Sequence, residues 1–515
     1  IVEAAAPWQH IRPVGEDIVA GEMILPGHHK IRSIDVGVLL SAGITRIEVA
    51  ARPRVAIFPT GTEIIEPEET PVEGSIIESN SRMFENLAVE QGAIADRFLV
   101  IPDDYGKIKE EIEWASQNYD VVLINAGSSA GTEDYTVHVL RELGEVVVHG
   151  VSIKPGKPVI LAVVNKRPVI GLPGYPVSAY IGFENFVNPV LAMLGDTVCR
   201  KNPTVPAVIS KRLVSSLKHR EYIRVKVGKV GEKLVAAPLA RGAGAAMSMV
   251  RADGFCVIPQ NSEGVEAGET VQVELYRDLS KIENTLVVIG SHDLILDVIA
   301  DQMPQIHRNM YLSSTHVGSM GGLMALKRRE AHLAPTHLLD EKTGVYNISY
   351  LKRLFTEPMV LIKGVGRIQG LMVKKGNPLQ IKGISDLTRC RFVNRQRGAG
   401  TRVLLDYLLK KEGISPEEIH GYDFEAATHM AVAAQVAGEG ADVGMGVLSA
   451  AKAMDLDFLP VGRESYDFAL YREDLQMPLV QAFLEILKSD AFHEKLQELG
   501  GYSWEEAGNI IEIEK

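Results

Sequence analysis

Four acidic residues in the first third of the sequence stand at turns, where their carboxylates could ligate a metal ion. They are Asp17 in GEDI, Glu63 in TGTEI, Asp103 in PDD and Asp134 in TEDYT. Carboxylate oxygens are hard ligands that suit Mg²⁺, and several of them beside a phosphate form a metal–phosphate site. Each acid alone is also explained as a helix cap or a solvated loop residue, because Asp is common at both. Taken together, the acids favour the metal site.

The loop INAGSSAGTEDYT (124–136) has the composition of a phosphate cradle. It follows an apolar strand, and small residues such as Gly127, Ser129 and Gly131 leave backbone N–H groups uncovered. The helix predicted over Tyr135–Leu143 directs its positive end back at the loop, which favours an anion. The acidic end of the loop would repel a lone phosphate, so the sequence indicates a phosphate that a metal ion bridges.

Three cationic side chains are candidates for binding the phosphate or an oxyanion. Lys154 and Lys157 lie in IKPGKP, where two prolines and a glycine stiffen the loop and lower the entropy lost on binding. Arg224 lies in HREYIRV on a predicted strand, where its planar guanidinium could clamp an oxyanion. The alternative is a surface turn with solvated lysines and an exposed strand arginine.

These candidates need a scaffold, and the pattern from Arg52 to about Gly195 supplies one. Apolar strands alternate there with amphipathic helices, which predicts a parallel sheet with helices on both faces. Such sheets bind ligands at the carboxyl ends of their strands. We therefore expect one edge of the sheet to collect the ends of three strands, namely Thr60-Gly61-Thr62-Glu63, Asp103-Asp104 and Gly127-Ser128-Ser129.

The rest of the chain changes pattern twice. Val205 to about Tyr276 is rich in short strands and predicts a small barrel or sandwich, and RDLSKIEN (277–284) has the composition of a linker. From Thr285 onward strand–turn–helix units return, over a stretch long enough for two lobes.

Three turns of this second α/β body bring hydrogen-bond donors to the start of predicted helices. GSHD, STHVGSMGG and RQRGAGT supply the candidate ligand-binding residues Ser291, His292, Ser319, Arg397 and Thr401. Donors at helix N-termini can hold an oxyanion between two lobes. Ordinary capping explains the same turns, because Ser, Thr and Asp are preferred caps.

Composition excludes several classes of protein. The chain of 515 residues has a formal net charge of −12, which argues against a nucleic-acid-binding protein. Three scattered cysteines argue against a disulfide framework or a zinc or iron–sulfur site, and they fit a cytoplasmic protein. No apolar run is long enough for a membrane span, and no secretory signal opens the sequence.

TGTEI, PDD, GSSAGTEDYT, HGVSIKPGKPV and GLPGYPVSA occur in this order and resemble the molybdopterin molybdotransferases, relatives of the gephyrin E domain. The resemblance spans about Gly15 to Leu275. It implies a partial N-terminal segment (1–50), a three-layer α/β molybdopterin-binding domain (51–200) and a small β-barrel-like domain (201–278). It also implies a cytoplasmic, homodimeric enzyme that inserts molybdate or tungstate into adenylylated molybdopterin and releases AMP with the help of Mg²⁺. The molybdopterin adenylyltransferase is then a candidate partner.

The resemblance assigns roles to individual residues. It makes Asp17, Glu63, Asp103 and Asp134 the functional acids, with the last three on the metal. The residues that it assigns to cofactor binding are Thr60, Gly61, Gly127, Ser129, Gly131, Lys154, Lys157, Pro173, Gly174, Ser178 and Arg224.

Three positions and one segment depart from the family pattern. Thr62 replaces an Asp, the SGGxSxG motif is altered over 126–131, and Tyr175 replaces an Asn. The family's upstream SAMDGYA-like motif has no counterpart, so IVEAAAPWQH reads as a chain entered midway. These departures keep open a second hypothesis, in which the chain is a non-catalytic pterin- or molybdate-binding carrier or sensor.

Residues 284–515 resemble the two-lobed α/β domain of the periplasmic binding proteins. The resemblance implies a ligand-binding domain, and its neighbour in the chain makes molybdate or tungstate the first candidate ligand. The hypothesis is that this domain gathers the oxyanion and the first body inserts it.

Overall fold

The computed structural model describes residue 4 and residues 6–126, 135–199, 201–340 and 343–514. It divides into two compact units: the first is Ile1–Val151 with Pro155–Lys201, and the second is Ser152–Lys154 with Asn202–Lys515. Within the described ranges, no helix is both long enough and apolar enough to cross a membrane.

The elements up to Leu194 alternate between strand and helix. In chain order they are α1 (Ser33–Ser41), β1 (Arg54–Pro59), β2 (Ile64–Ile65), β3 (Ile76–Ile77), α2 (Asn80–Glu90), β4 (Ile94–Arg97), α3 (Tyr105–Asn118), β5 (Val121–Ala126), α4 (Tyr135–Leu143), β6 (Gly144–His149), β7 (Ile153–Lys154), β8 (Ile160–Val164), β9 (Arg167–Pro173), α5 (Pro176–Gly182) and α6 (Asn188–Leu194). A π-helical turn, Phe183–Val187, joins the last two helices. All of these elements except β7 lie in the first unit.

One six-stranded sheet, in the order β4-β1-β5-β9-β8-β6, is the frame of the first unit. The strands β4, β1, β5 and β9 are parallel, as the alternation predicts, but β8 and β6 run antiparallel to their neighbours. The expectation of a parallel sheet therefore fails at this edge. Asn165 and Lys166, with φ of 49° and 63°, form the tight turn between β8 and β9, and so short a turn can join only antiparallel strands.

Alternate residues of β1 pack against helices on opposite faces of the sheet. Val55 and Ile57 belong to the core that includes α2 and the helix after β9, whereas Ala56 and Phe58 belong to the core that includes α3 and α4. Burial on both faces confirms the predicted three-layer α/β architecture.

The strand order changes direction between β1 and β5. The chain leaves β1 for α2 on one face and leaves β5 for α4 on the other face. In open α/β sheets, ligands bind in the crevice at the carboxyl ends of such a strand pair. A parallel bridge between Thr60 and Ile101 also keeps the chain after β4 beside the end of β1.

A small closed barrel opens the second unit and confirms the predicted β-rich domain. Its elements are β10 (Thr204–Ile209), β11 (Leu213–Val214), β12 (Arg220–Val230), β13 (Lys233–Pro238), α7 (Ala246–Arg251), β14 (Gly254–Ile258), β15 (Gly264–Val265) and β16 (Thr270–Leu275). The barrel closes because β13 pairs with both β10 and β12, and β7 extends it beside β12. The predicted linker instead contains a helix, α8 (Leu279–Glu283), because its Ile282 joins the barrel core.

The C-terminal part of the second unit is a second α/β body. Its elements are β17 (Thr285–Gly290), α9 (Leu294–Ile306), β18 (Tyr311–His316), α10 (Ser319–Lys327), β19 (Ala334–Thr336), α11 (Ile348–Leu354), β20 (Met359–Val373), β21 (Phe392–Arg395), α12 (Gly400–Glu412), β22 (Glu425–Ala426), α13 (His429–Ala437), β23 (Val443–Val447), α14 (Leu448–Ala453), β24 (Asp457–Tyr471), α15 (Pro478–Leu487), α16 (Asp490–Leu499), β25 (Tyr502–Ser503) and β26 (Ile510–Ile513).

Two long antiparallel strands, β20 and β24, connect two lobes of this body. Val360 and Leu470 lie in a core with α9 and α15, which belongs to lobe one. Leu371 and Leu459 pack with α12 in a separate core, which belongs to lobe two. Between these ends Arg367 of β20 lies opposite Glu464 of β24 in the strand register. The two-lobed α/β architecture is thus confirmed.

Candidate functional site

A tight turn at the end of β1 forms one wall of the crevice in the first unit. The hydroxyl of Thr60 donates a hydrogen bond to the carbonyl oxygen of Asn125 at the end of β5, at 3.1 Å. Gly61 has φ of +143°, and an added Cβ would lie 2.6 Å from Cγ1 of Ile64. Only glycine therefore fits this turn without strain, and Glu63 follows it with an exposed side chain.

The second predicted acid stands on a loop that contacts this turn. Oδ2 of Asp103 accepts hydrogen bonds from the N–H of Thr62 at 3.2 Å and from its hydroxyl at 3.5 Å. Glu63 and Asp103 thus present exposed carboxylates from contacting loops. Asp17 is exposed and pairs with Arg12 at 3.1 Å, and no described hydrogen bond or ion pair joins it to the other two acids.

The phosphate cradle falls outside the described residues. Gly127, Ser129, Gly131 and Asp134 belong to residues 127–134. In the part of the chain that is described, no group of three His, Cys, Asp or Glu side chains is arranged to hold a metal ion. The predicted metal site stays a prediction, for which Glu63 and Asp103 supply hard oxygen ligands.

Two buried asparagines position the turn after β9. Nδ2 of Asn125 donates to the carbonyl oxygen of Pro173 at 3.0 Å, while its Oδ1 accepts from Nδ2 of Asn80 at 3.0 Å. Asn80 Nδ2 also donates to the carbonyl oxygen of Gly174 at 2.7 Å. Sequence reasoning missed both asparagines, although Asn125 ends an apolar strand run, where a polar residue is conspicuous. Ser178 is buried on α5.

The predicted cations divide between the two units. Lys157 is exposed in the first unit. Nζ of Lys154, in the second unit, lies 3.7 Å from Oε1 of Glu221. Arg224 is 1% exposed, and it donates to Oγ of Ser248 at 3.0 Å and to the carbonyl oxygen of Gly242 at 3.0 Å. Arg224 is thus held inside the barrel, where burial lowers its pKa, rather than presented on a surface strand.

A buried polar network lies where the two lobes of the C-terminal body meet. Arg367 forms ion pairs with both Glu464 and Asp293. Oε2 of Glu464 accepts from Nδ1 of His337 at 2.7 Å, and its Oε1 accepts from Nε2 of Gln369 at 2.6 Å. Burial opposes the charge of Glu464, but Arg367 and His337 outweigh it and lower the pKa of this carboxyl to about 2.

Four helices begin beside this network. Asp293 caps α9 by accepting from the N–H of Ile295, Ser319 and Gly400 open α10 and α12, and His429 opens α13. The first two helices belong to lobe one and the last two belong to lobe two. Helix N-termini carry partial positive charge and uncovered N–H groups, so their convergence favours an anion.

Several polar atoms of the network are buried and have no hydrogen-bond partner. They are Nη2 of Arg367, Nε of Arg395, Oε1 of Gln369, Nδ1 of His292 and both ring nitrogens of His429. Each of these residues is at most 6% exposed. Unpaired buried polar atoms cost free energy, so their clustering indicates a site that a ligand completes.

Four of the five residues predicted for the C-terminal ligand belong to this network. Oγ of Ser291 lies 2.8 Å from Nε2 of His337, Oγ of Ser319 accepts from the His337 N–H, and Oγ1 of Thr401 accepts from Gln369. His292 supplies one of the unpaired nitrogens. Arg397 is not brought there: its side chain is 80% exposed and pairs with Asp423 and Glu425.

The serine, histidine and glutamate of the network have the spacing of a nucleophile, base and carboxylate triad. Here burial lowers the pKa of His337, which weakens it as a base. A general base needs a pKa near the working pH. We therefore interpret the three residues as a hydrogen-bond chain that fixes Ser291.

Three family models match successive regions of the chain. A family model described as "Probable molybdopterin binding domain" matches residues 56–193, and one described as "MoeA C-terminal region (domain IV)" matches residues 206–276. A third, described as "PBP superfamily domain", matches residues 300–488.

Three relatives illustrate the similarity. A Methanocaldococcus jannaschii protein named for molybdopterin biosynthesis is 33% identical over 285 residues, which are 54% of this chain and 68% of that protein. The uncharacterized protein YvgK of Bacillus subtilis is 36% identical over 228 residues, 44% of this chain and 73% of that protein. The molybdopterin molybdenumtransferase of Haemophilus influenzae is 28% identical over 280 residues, 54% of this chain and 69% of that protein.

Proposed function

We propose that this chain, which belongs to the molybdopterin molybdenumtransferase family, inserts molybdate or tungstate into adenylylated molybdopterin and releases AMP. The observation that carries the proposal is the change of strand order between β1 and β5, at the carboxyl ends of these two strands. There the tight turn at Gly61 and the Thr62–Asp103 hydrogen bond hold two carboxylates on contacting loops. This is the position where open α/β sheets bind nucleotide-like ligands.

Two carboxylates at this edge of the sheet would bind Mg²⁺, and two asparagines fix the shape of the neighbouring turn. Glu63 and Asp103 would hold Mg²⁺, whose oxygen ligand preference they fit. When bound, Mg²⁺ neutralises phosphate charge and so makes AMP a better leaving group. Asn125 and Asn80 fix the Pro173-Gly174 turn through hydrogen bonds of 3.0 and 2.7 Å, which gives the crevice a rigid wall.

For the C-terminal body we propose binding of a small oxyanion between its lobes. The unpaired Nε of Arg395 and Nη2 of Arg367 are cationic donors in a buried setting. Four helices, two from each lobe, begin beside this network, and their N-termini favour an anion. An anion would bond to donors of both lobes at once.

The proposed function also implies a cellular location, an oligomeric state and a partner enzyme. We propose that the protein works in the cytoplasm as a homodimer, with the molybdopterin adenylyltransferase as the source of its substrate. Apolar side chains before β1, such as Trp8, Met23 and Ile34, are exposed. Exposed apolar side chains of this kind can form a protein–protein interface, which supports the proposed dimer.

The test is AMP release from adenylylated molybdopterin by the full chain, with Mg²⁺ and with or without molybdate. Molybdate-dependent release supports the transferase. Tight binding of the pterin without release of AMP would instead favour the carrier or sensor hypothesis. The exposed Tyr175 beside Gly174, which replaces an Asn of the family pattern, supports that alternative.

A further inference from the structure

We propose that the anion of the C-terminal body carries hydrogen-bond donors of its own, as hydrogen phosphate does, and that a proton-free tetrahedral dianion such as molybdate or sulfate binds more weakly. The inference rests on the proposed function, because it takes the network between the lobes as an oxyanion site. It narrows that proposal from oxyanions in general to those that bear a proton or hydroxyl group.

An unpaired acceptor at the centre of the network carries the first argument. Nε2 of Gln369 donates to Oε1 of Glu464 at 2.6 Å and to Oγ1 of Thr401 at 2.9 Å. A carboxylate can only accept, so this contact fixes which end of the amide is the nitrogen. Oε1 of Gln369 therefore faces elsewhere, fully buried and without a donor. An oxygen of a proton-free anion at this atom would meet a second acceptor, which is repulsive.

The histidines supply the second argument. Both ring nitrogens of His429 lack a partner, and the residue is 1% exposed. Burial, with the charges of Arg395 and Arg367, holds the pKa of His429 well below its usual range. A neutral imidazole has one N–H and one lone pair. Neutral His429 thus contributes one donor and one acceptor, where a protonated imidazole would contribute two donors to a proton-free anion.

The balance of fixed charge supplies the third argument. Arg367 pairs with Asp293 and Glu464, and the one further guanidinium with unpaired buried atoms is Arg395, among the residues that the structure describes. These two cations balance the two carboxylates. Burial and nearby arginines lower the pKa of His292 to about 3, so it adds no charge near neutral pH. A dianion would enter an electroneutral interior, and each proton that the ligand carries lowers the charge to be buried.

The test is isothermal titration of the full chain at pH 7 with phosphate, arsenate, sulfate and molybdate. Phosphate and arsenate carry a proton at this pH, whereas sulfate and molybdate do not. We expect phosphate and arsenate to bind tighter by up to about 10⁴-fold, the ratio by which a site built for a hydroxyl rejects an analogue without one. Binding is assigned to the site between the lobes where Arg395→Ala, at the buried guanidinium of that site, removes it. Equal or tighter binding of sulfate or molybdate at this site would overturn the inference and leave the oxyanion site standing. Absence of binding by all four anions would overturn the inference together with the proposed oxyanion site.

A variant of Gln369 tests whether its Oε1 causes the preference for phosphate over sulfate. Gln369→Met removes the unpaired acceptor at nearly constant volume, so we expect the preference for phosphate over sulfate to shrink by at least about tenfold, the effect of one buried hydrogen bond. Arg397→Ala, on an exposed side chain outside the network, should keep the full preference. An unchanged preference in a folded Gln369→Met protein would contradict the role of this oxygen. If that variant does not fold, the anion series on the unmodified chain still decides the question.

Discussion

Arg395 and Arg397 lie two residues apart and differ in their surroundings. Arg395 is 1% exposed, and its Nη1 donates to the carbonyl oxygen of Ala426 while its Nε has no partner. Burial lowers the pKa of Arg395 to about 10, which still leaves it charged at neutral pH. The side chain of Arg397 is 80% exposed and paired with acids. Of these two arginines, Arg395 is the buried cation that an anion would complete.

This contrast gives a matched pair of variants. Arg395→Ala should weaken phosphate binding by roughly 30-fold or more, because losing one partner of a buried charge pair costs about 2–5 kcal/mol. Arg397→Ala should leave the affinity unchanged, because its charge is solvated and already paired. Isothermal titration of both folded proteins measures the difference. Loss of binding in Arg397→Ala, with binding kept in Arg395→Ala, would contradict the assigned roles.

The sequence identifies the turn that carries these arginines but not which arginine is buried. The motif RQRGAGT predicts donors at the start of a helix, and Thr401 does reach the network. Which arginine faces inward depends on the last residue of β21, and strand ends are not readable to one residue. Glu464 and Arg367 were missed for a related reason: buried charges look like surface residues until their partner strand is known.

Glycines let the lobes of the C-terminal body approach each other. Gly400 opens α12 in lobe two, and an added Cβ would lie 2.4 Å from Nδ1 and 2.5 Å from the carbonyl oxygen of His337 in lobe one. A Cβ on Gly318 would lie 2.9 Å from the carbonyl oxygen of Gly398. Real Cβ atoms do not come this close to backbone, so these contacts require glycine.

A side chain at Gly400 should therefore hold the lobes apart. We expect Gly400→Ala to weaken phosphate binding by about fivefold or more, because overpacking of about 1–3 kcal/mol would oppose the close approach of the two lobes. The matched control is Gly462→Ala in β24, where an added Cβ meets nothing within 4 Å. Equal affinities of the two variants would show that the close approach of Gly400 to His337 does not matter for binding.

The alternation of apolar strands and amphipathic helices in the sequence predicts most helices and strands of the first unit. The helix over Tyr135–Leu143 and the strand that starts at Val121 appear where the alternation places them. The antiparallel β8 and β6 were missed because the turn of Asn165 and Lys166 is not one of the usual Asn-Gly or Asp-Gly signals. The long strands β20 and β24 were missed because each contributes to two cores, and burial along β20 is nearly continuous, without the alternation that marks a strand.

Across the whole molecule, the C-terminal body is rich in buried neutral histidines. Burial is the main cause that lowers the pKa of His292 to about 3 and of His332 to about 4. It also holds the pKa values of His316 and His429 well below the usual range. In the unfolded chain these groups titrate near pH 6.5. Below that pH the unfolded state binds more protons than the folded state, so acidification favours unfolding.

His332 offers a direct check of this effect. Its Nδ1 accepts a hydrogen bond from the N–H of Val287 at 3.0 Å, and Asn can replace it as an acceptor that does not titrate. As pH falls from about 6.5 to about 4, the unmodified chain should lose up to about 1.4 kcal/mol per pH unit more stability than His332→Asn. Chemical denaturation at several pH values measures this difference. Parallel pH profiles would contradict a neutral His332 in the folded state.

AMP release by variants of Glu63 and Asp103 decides whether the proposed metal site of the first unit takes part in the transfer. Glu63→Ala and Asp103→Ala should each abolish molybdate-dependent AMP release from adenylylated molybdopterin, because each removes a carboxylate from the predicted metal site. Glu68→Ala should retain release, because that acid is 78% exposed and its one described contact is a 3.7 Å ion pair with Arg82. All three variants should unfold at the same temperature as the unmodified chain, which shows that they are folded. AMP release that persists in both Glu63→Ala and Asp103→Ala would contradict the proposed site.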